Sequence, residues 1–580
     1  MGRTAPARWL LPAFDPREIE GLAKAAGIHA PAARVLVNRG HRDPAAAERF
    51  LHPSLDHLHD PFLFTDMRPA VDRLAGAIAA GQKILLYGDY DVDGIMSIVV
   101  LKKAIELAGG AAEFYVPHRI RDGYGMRVEV IEQAAADGVR LIVSVDTGIR
   151  AVEAVRRAGE LGIDVIITDH HLPEPELPPA LALLNPNRAG CPYPEKNLCG
   201  AGVAFKLVQA LLATLGWPAE KAQRMTGSFL KLVAIGTVAD VVPLTGENRV
   251  IVKKGLEGLR SVTNPGLRAL LDVAGFSQGE APSSGQVAFR IAPRMNAAGR
   301  MADAGGVIDL FLTQDGDRAR ELAGQLHSLN EERRQAENET VASILDQCQR
   351  TPVKDDRAAL VFSGAGWHRG VVGIVASRMV ERYHRPVVVL CEEPEDGVAQ
   401  GSGRSVDSFH LLAALESMAD LFVRYGGHRQ AVGLSVPLDR LEEFRERLNA
   451  YAAARLTPAD FRQSIRLDGE LDFREVDDAS VAEILSLAPF GSGNPTPLFA
   501  ARNVEVAGQP VVWNERNLRL RLRQNGRLLT VKAWNFVERA AEVAPGARID
   551  AVVSLEADSY ALNRGYAGWC AVLRDVRPAE

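Results

Sequence analysis

The stretch Ile163-Asp164-Val165-Ile166-Ile167-Thr168-Asp169-His170-His171 passes from an apolar, β-branched run straight into one carboxylate and two imidazoles. A short run of this kind reads as a strand buried on both faces. Its end therefore sets three potential metal ligands at one sheet edge. Two stretches repeat the arrangement, Leu85-Leu86-Tyr87-Gly88-Asp89-Tyr90-Asp91-Val92-Asp93-Gly94 and Leu141-Ile142-Val143-Ser144-Val145-Asp146-Thr147-Gly148. Further strands are expected at 113–116 and 181–184, with helices at 95–107, 128–136 and 151–161 between them. Strand and helix in alternation indicate a parallel sheet covered on both faces. Ligands of such sheets bind beyond the carboxyl ends of the strands, where Asp89, Asp146 and Asp169 fall.

Outward from this core, residues 1–75 are rich in Ala, Pro, Arg and His and read as a helical lead-in of unknown role. The α/β region spans 76–310. Leu322, Leu326, Leu329, Ala336, Val341, Ile344 and Leu345 then share one helical face, opposite the charged Asn330-Glu331-Glu332-Arg333-Arg334. They predict a connector helix within 311–352, about 50 Å long at about 1.5 Å per residue. A second α/β domain is expected over 353–460, with strands at 358–362 and 387–390, a helix at 371–383, a Gly-rich turn at 400–405, a loop at 424–428 and a helix at 441–454. From 461 to 580 the pattern is all-β. In Asn517-Leu518-Arg519-Leu520-Arg521-Leu522-Arg523, strict alternation buries three leucines and turns three arginines outward. Asn525-Gly526 supplies a hairpin turn into 528–534.

Composition narrows the class. The chain has 580 residues, 47% of them hydrophobic, enough for three or four domains of roughly 150 residues. A net charge of −6 argues against a uniformly basic nucleic-acid coat and leaves room for local basic patches. No run approaches the roughly 18 uninterrupted apolar residues of a membrane span, and the N-terminus does not read as a signal peptide. Five cysteines without CxxC spacing signal neither a zinc motif nor a disulfide framework. A cytoplasmic protein is expected.

Asp89, Asp91 and Asp93 repel one another, and a lone DxDxDG would be an ordinary solvated or calcium-binding loop. Convergence argues otherwise, since Asp146 and Asp169-His170-His171 also follow strand ends. Ala234-Ile235-Gly236-Thr237-Val238-Ala239-Asp240-Val241-Val242-Pro243 sets one more acid in an apolar stretch, which is costly unless it is paired or coordinated. Carboxylates with imidazole and no thiolate suit Mn²⁺ or Mg²⁺. This many acids can hold two ions about 3.5–4 Å apart, the arrangement for in-line phosphoryl displacement. Phosphoester hydrolysis is the expected reaction.

These motifs resemble the DHH phosphoesterases. Gly426-Gly427-His428 resembles the signature of their accessory DHHA1 domain. Arg290-Ile291-Ala292-Pro293-Arg294-Met295-Asn296-Ala297-Ala298-Gly299-Arg300, Gly366-Trp367-His368-Arg369-Gly370-Val371-Val372-Gly373-Ile374 and the closing β domain narrow the likeness to the RecJ family. The resemblance implies a parallel-sheet DHH catalytic domain, a long helix, a second α/β (DHHA1) domain and an OB-like domain. It implies that Asp91, Asp93, Asp146, His170 and Asp240 ligate two divalent cations, with Asp146 bridging. Asp89 then supports the cluster, Asp169 orients an imidazole, and His171 meets the scissile phosphate. Arg294, Asn296 and Arg300 are implied in a 5′-end pocket, and Arg369 and His428 in substrate binding. The implied activity is 5′ to 3′ degradation of single-stranded DNA to 5′-mononucleotides in DNA repair and recombination. Single-strand-binding protein and a helicase are implied partners. A monomer is expected, because the chain carries its own binding domain.

Independent physics supports the substrate contacts. Gly401-Ser402-Gly403-Arg404-Ser405 offers close backbone approach, hydroxyl donors and an Arg fork to a phosphate. Arg519, Arg521 and Arg523, with Trp513, Trp534 and Phe536 nearby, suit single-stranded nucleic acid on a five-stranded OB barrel. A DHH-type phosphodiesterase for short oligoribonucleotides or cyclic dinucleotides would need neither the connector nor the barrel. A non-catalytic scaffold would show eroded ligands, whereas every catalytic motif residue is present.

Overall fold

Complete burial of Ile84–Tyr87 (β1), Leu141–Val145 (β3) and nearly all of Asp164–Thr168 (β4) follows from their apolar, β-branched sequences. With Ala112–Tyr115 (β2) and Ala182–Leu184 (β5) they form a parallel sheet in the order β2-β1-β3-β4-β5. The register pairs Tyr87 with Ser144 and Val145 with Thr168, so the carboxyl ends of β1, β3 and β4 are level. The computed structural model describes residues 7–119, 122, 123, 125–353, 357–558, 565 and 567–579. It divides into a unit of Leu11–His327 with Leu467–Glu580 and a unit of Met1–Leu10 with Ser328–Arg466.

The helix after β1 is Val92–Leu107, three residues longer at its start than the sequence pattern suggests. Asp91 is its N-cap, accepting from the amides of Asp93 and Gly94 at 2.9 and 3.1 Å. Asp93 thus stands in the first helical turn rather than in a loop. The helix is buried almost all round, as a central helix should be.

The connector is one helix, Gly316–Arg350, which passes from the first unit to the second after His327. In the second unit Leu360–Ala365 (β6), Val387–Glu393 (β7), Val398–Arg404 (β8), Arg424–Gly427 (β9) and Ala431–Pro437 (β10) form a sheet in the order β9-β10-β8-β7-β6. Only β6 and β7 are parallel. Here the sequence reading is corrected, because residues 400–404 are strand rather than Gly-rich turn, and 424–427 form an edge strand. The glycines serve packing. A Cβ on Gly401 would run into the carbonyl of Val389, and one on Gly403 into Leu411, Val432 and Val388. Arg8–Leu10 pairs in parallel with Ser464–Arg466 in the same unit.

Back in the first unit, Gly469–Glu470 (β11), Phe499–Val506 (β12), Val511–Trp513 (β13), Asn517–Gln524 (β14), Arg527–Ala533 (β15), Arg548–Ala557 (β16) and Trp569–Pro578 (β17) make the closing domain. The order β12-β16-β17-β15-β14 is closed by pairing of β14 with β12 into a five-stranded barrel. Leu518, Leu520 and Leu522 are buried, and Arg519, Arg521 and Arg523 are exposed. Asn525 and Gly526, at φ 50° and 78°, make the tight turn that joins the hairpin. The domain is not purely β, for Asp477 caps a helix at Asp478–Ser486.

The N-terminal helices Pro16–Ala26, Ala30–Asn38 and Pro44–Leu51 share the barrel's core, where Ile19, Leu22, Leu36 and Phe50 join Phe473, Val481 and Phe499. Arg249, on the helix Gly246–Gly258, is buried beneath them. Its guanidinium donates to the carbonyls of Phe50, Leu487 and Ala488 at 2.7, 2.8 and 3.1 Å and lies 3.7 Å from the Phe50 ring centroid. Burial pushes this group down to about 9.

Candidate metal centre

Four chain segments converge beyond the carboxyl ends of β1, β3 and β4. Asp89, Asp91 and Asp93 follow β1, Asp146 follows β3 at φ 58°, and Asp169-His170-His171 follows β4. Asp240 comes from the C-cap of the helix Ala219–Ala239. Nε2 of His170 lies 3.2 Å from Asp146 Oδ1, 3.6 Å from Asp240 Oδ2 and 4.0 Å from Asp93 Oδ2. Asp89, Asp91 and Asp146 each offer an oxygen within 4.8 Å of the others.

Asp93 is held by a helix N-terminus, where the amides of Gly200 and Ala201 donate to its two oxygens at 2.6 and 2.9 Å. Asp169 is turned to another purpose. Its Oδ1 accepts from the amides of His170 and His171 at 2.7 and 3.1 Å and meets His171 Nδ1 at 2.7 Å, while Oδ2 accepts from the Ile149 amide at 3.0 Å. Asn185 and Asn187 donate to the carbonyls of His171 and His170 at 2.8 and 2.7 Å. Sequence reasoning missed Gly200, Asn185 and Asn187. Leu184-Asn185-Pro186-Asn187 reads as an ordinary turn after a strand, and nothing local signals its bonds to residues 14 and 17 positions away. Arg119 was also missed; its guanidinium stands 4.9 Å from the Tyr90 ring centroid.

Burial, and then the charge of Asp91, pushes Asp89 up to about 8. Burial, then Asp93 and Asp91, pushes Asp240 up to about 9. Asp91 rises through burial and Asp93, and Asp146 rises well above its usual range through burial and the surrounding acids. For Asp169 burial also acts upward, but its hydrogen bond to His171, that residue's charge and the backbone amides hold it below the usual range. Burial acts downward on His171, yet Asp169 outweighs it and the imidazole is raised. Burial lowers His170, which favours the neutral imidazole that ligation requires.

Among the described residues, Asp89 Oδ1, His170 Nε2 and Asp240 Oδ2 are buried without a hydrogen bond. Buried polar atoms need partners. A cluster of repelling carboxylates needs positive charge, and its oxygen and imidazole donors fit Mn²⁺ or Mg²⁺.

Arg294, Asn296 and Arg300 lie on the helix Ala292–Met301, which leans on the acidic loop at Gly299, where a Cβ would stand 2.9 Å from the Tyr90 carbonyl. In the second unit, Ser402 Oγ and Arg404 Nη2 face the start of the helix Val372–Tyr383, at 3.4 and 3.2 Å from where a Cβ on Gly373 would be. Arg369 reaches Gln400 at 2.6 Å and Glu393 at 3.4 Å, and His428 is exposed in the β9–β10 turn. On the barrel, Trp513 and Trp534 meet edge to face at 5.2 Å, and Trp534 is 49% exposed. Phe536 does not accompany them, being buried in the barrel core.

A centre for divalent cations, built from carboxylates and imidazole at the carboxyl edge of a parallel sheet, defines a metal-dependent phosphoesterase. Family models described as "DHH family, N-terminal domain", "DHHA1 domain" and "RecJ OB domain" match residues 83–237, 356–454 and 467–566. The chain is 37% identical to the single-stranded-DNA-specific exonuclease RecJ of Bacillus subtilis over 94% of its own length and 68% of that protein. It is 38% identical to the Escherichia coli protein of the same name, over 80% of this chain and 82% of that one. The crystal structure of RecJ in complex with Mn²⁺ from Thermus thermophilus matches with a TM-score of 0.83 at 30% identity, covering 99% of this chain and 80% of that one. The chain belongs to the RecJ family. No described helix is long and apolar enough to cross a membrane.

Proposed function

We propose that this chain is a metal-dependent exonuclease that removes 5′-mononucleotides from the 5′ end of single-stranded DNA in repair and recombination. The observation that carries the reading is the buried cluster of acids around Nε2 of His170, whose repulsion and unbonded atoms require divalent cations. The substrate is supported by relatives named as single-stranded-DNA-specific exonucleases.

In this reading Asp91, Asp93, Asp146, His170 and Asp240 would hold two Mn²⁺ or Mg²⁺ ions, with Asp89 supporting the cluster. Two divalent cations held there would supply activation of a water and neutralisation of charge on the phosphoryl oxygens. The chain's own groups position the rest. The amides of Gly200 and Ala201 fix Asp93 in advance, so little reorganisation accompanies the reaction. Asp169 orients the His171 imidazole and favours its protonated form, which places it to donate to an oxygen of the scissile phosphate. Arg294, Asn296 and Arg300 approach the 5′ end from the helix beside Tyr90. Arg369, Ser402, Arg404 and His428 bind substrate phosphate in the second unit. Arg519, Arg521 and Arg523 neutralise the backbone of the strand. A monomeric state in the cytoplasm and association with single-strand-binding protein and a helicase belong to the same proposal.

The test compares the parent with Asp146→Ala on end-labelled single-stranded DNA with Mn²⁺. The parent releases 5′-mononucleotides and the variant does not. Survival of single strands while dinucleotides are cleaved would overturn the assignment.

A further inference from the structure

A helix that packs on one face turns its polar residues outward, yet Glu247, Asn248 and Arg249, consecutive at the start of the helix Gly246–Gly258, are all buried. Successive helical residues point about 100° apart, so the three reach different neighbours. Glu247 accepts from the Tyr193 hydroxyl at 2.6 Å and the His59 amide at 3.0 Å, and it pairs with the buried Lys206 of the helix Gly200–Thr214. Arg249 donates to the carbonyls of Phe50, Leu487 and Ala488. Asn248 joins two segments that build the metal centre.

The side-chain amide of Asn248 donates to the Asn197 carbonyl at 2.6 Å and to the Pro243 carbonyl at 3.1 Å. One bond ends three residues before Gly200, on the loop feeding the helix whose first amides hold Asp93, and the other ends three residues after Asp240. The Asp240 side needs such a tie. Val241, next to that acid, has φ 62° and is 68% exposed. A β-branched residue keeps this backbone conformation only where its surroundings impose it, and a side chain out in solvent imposes nothing. The restraint comes from further along, where Asn248 holds Pro243 and the Ser492 carbonyl accepts from the Leu244 amide at 2.7 Å.

We propose that Asn248 is a positioning residue for the metal centre, holding the strained Asp240 segment against the loop that leads to the Asp93-holding helix. The inference rests on the two-cation reading and adds a selective consequence to it. Asp240 belongs with Asp93 and His170 to one group able to hold an ion, whereas Asp89, Asp91 and Asp146 form a group without it. Loss of the tie should therefore weaken one cation and spare the other.

The test is a Mn²⁺ titration of the full chain, read by calorimetry and by the electron paramagnetic resonance of free Mn²⁺. The parent should take up two ions. In Asn248→Ala one of them should bind about 10–100-fold more weakly, the scale of a lost supporting contact, with the other unchanged. Asn248→Asp keeps the volume, removes both donors and should do the same; it carries the test if the alanine variant does not fold. Unfolding temperatures in EDTA report folding apart from the ions. In a Val241→Gly background, where φ 62° is free of strain, Asn248→Ala should cost less affinity. Parent-like binding by both Asn248 variants, equal weakening of the two ions, the same loss in either background, or refusal of both variants to fold would each overturn the positioning role and leave the cation reading intact. A parent that binds fewer than two Mn²⁺ ions overturns the two-cation reading, and the inference with it.

Discussion

Gly200 lies against Asp146 so closely that a Cβ on it would stand 2.5 Å from the Asp146 Cβ and 2.6 Å from its Oδ1. Gly200→Ala must therefore displace either the carboxylate or the helix whose first amides hold Asp93. Catalysis should fall about 100-fold, the scale of a misplacement near 1 Å, with Mn²⁺ affinity reduced by about 10–100-fold. Mn²⁺ titration and single-turnover cleavage check this. Parent-like Mn²⁺ binding by the variant would remove Gly200 from the argument.

Asp169 makes four hydrogen bonds and belongs to none of the acid and imidazole groups that could hold an ion among the described residues. Asp169→Asn removes the anion that orients His171 and turns an acceptor into a donor facing backbone amides. Activity should drop by about 10–100-fold. A variant that cleaves at the parental rate would show that His171 needs no such support.

Cations bound to the folded centre and not to the unfolded chain stabilise it by mass action. At Mn²⁺ about 100 times above its Kd the gain is about 2.7 kcal/mol, seen as a rise in Tm that EDTA reverses. Asp146→Asn and Asp240→Asn should each lose most of the rise. An unchanged Tm on adding Mn²⁺ to the parent would contradict the reading of the cluster.

His41 packs on Phe50 with ring centroids 4.3 Å apart. Burial, then Arg249, Arg39 and Arg49, lowers it from 6.5, against the weaker upward pull of Asp43. The fold thus favours the neutral ring. Above 6.5 both folded and unfolded forms are neutral and nothing is lost; as pH falls through 6.5 the unfolded chain gains a proton first, and stability declines. Denaturant midpoints between pH 7.5 and 5.5 should show the decline, and His41→Phe should reduce it. The same slope in both proteins would point to other groups.

Much of the fold is legible in the residues alone. The five parallel strands, the connector and the Leu/Arg alternation of β14 all come from periodicity, because local burial writes itself into local pattern. The second unit is harder. Gly401 and Gly403 read as a turn because glycine is the residue of turns, yet here they make room for neighbouring strands and a helix that the local sequence does not announce. Asp240 is legible as a misplaced acid, but not as the end of a helix.

The sequence by itself determined which chemistry is present. Asp169-His170-His171 and the acids after β1 and β3 are unambiguous as oxygen and imidazole donors at the end of a sheet. The family resemblance implied how the three residues divide, and only the tertiary structure decided the contacts, with His170 turned to the acids and Asp169 bonded to His171 and backbone amides. It also decided that Gly200, Asn185 and Asn187 hold them there. The reason is physical. Ligand identity is a property of single residues, whereas ligand direction is set by hydrogen bonds and close packing between segments far apart in the chain.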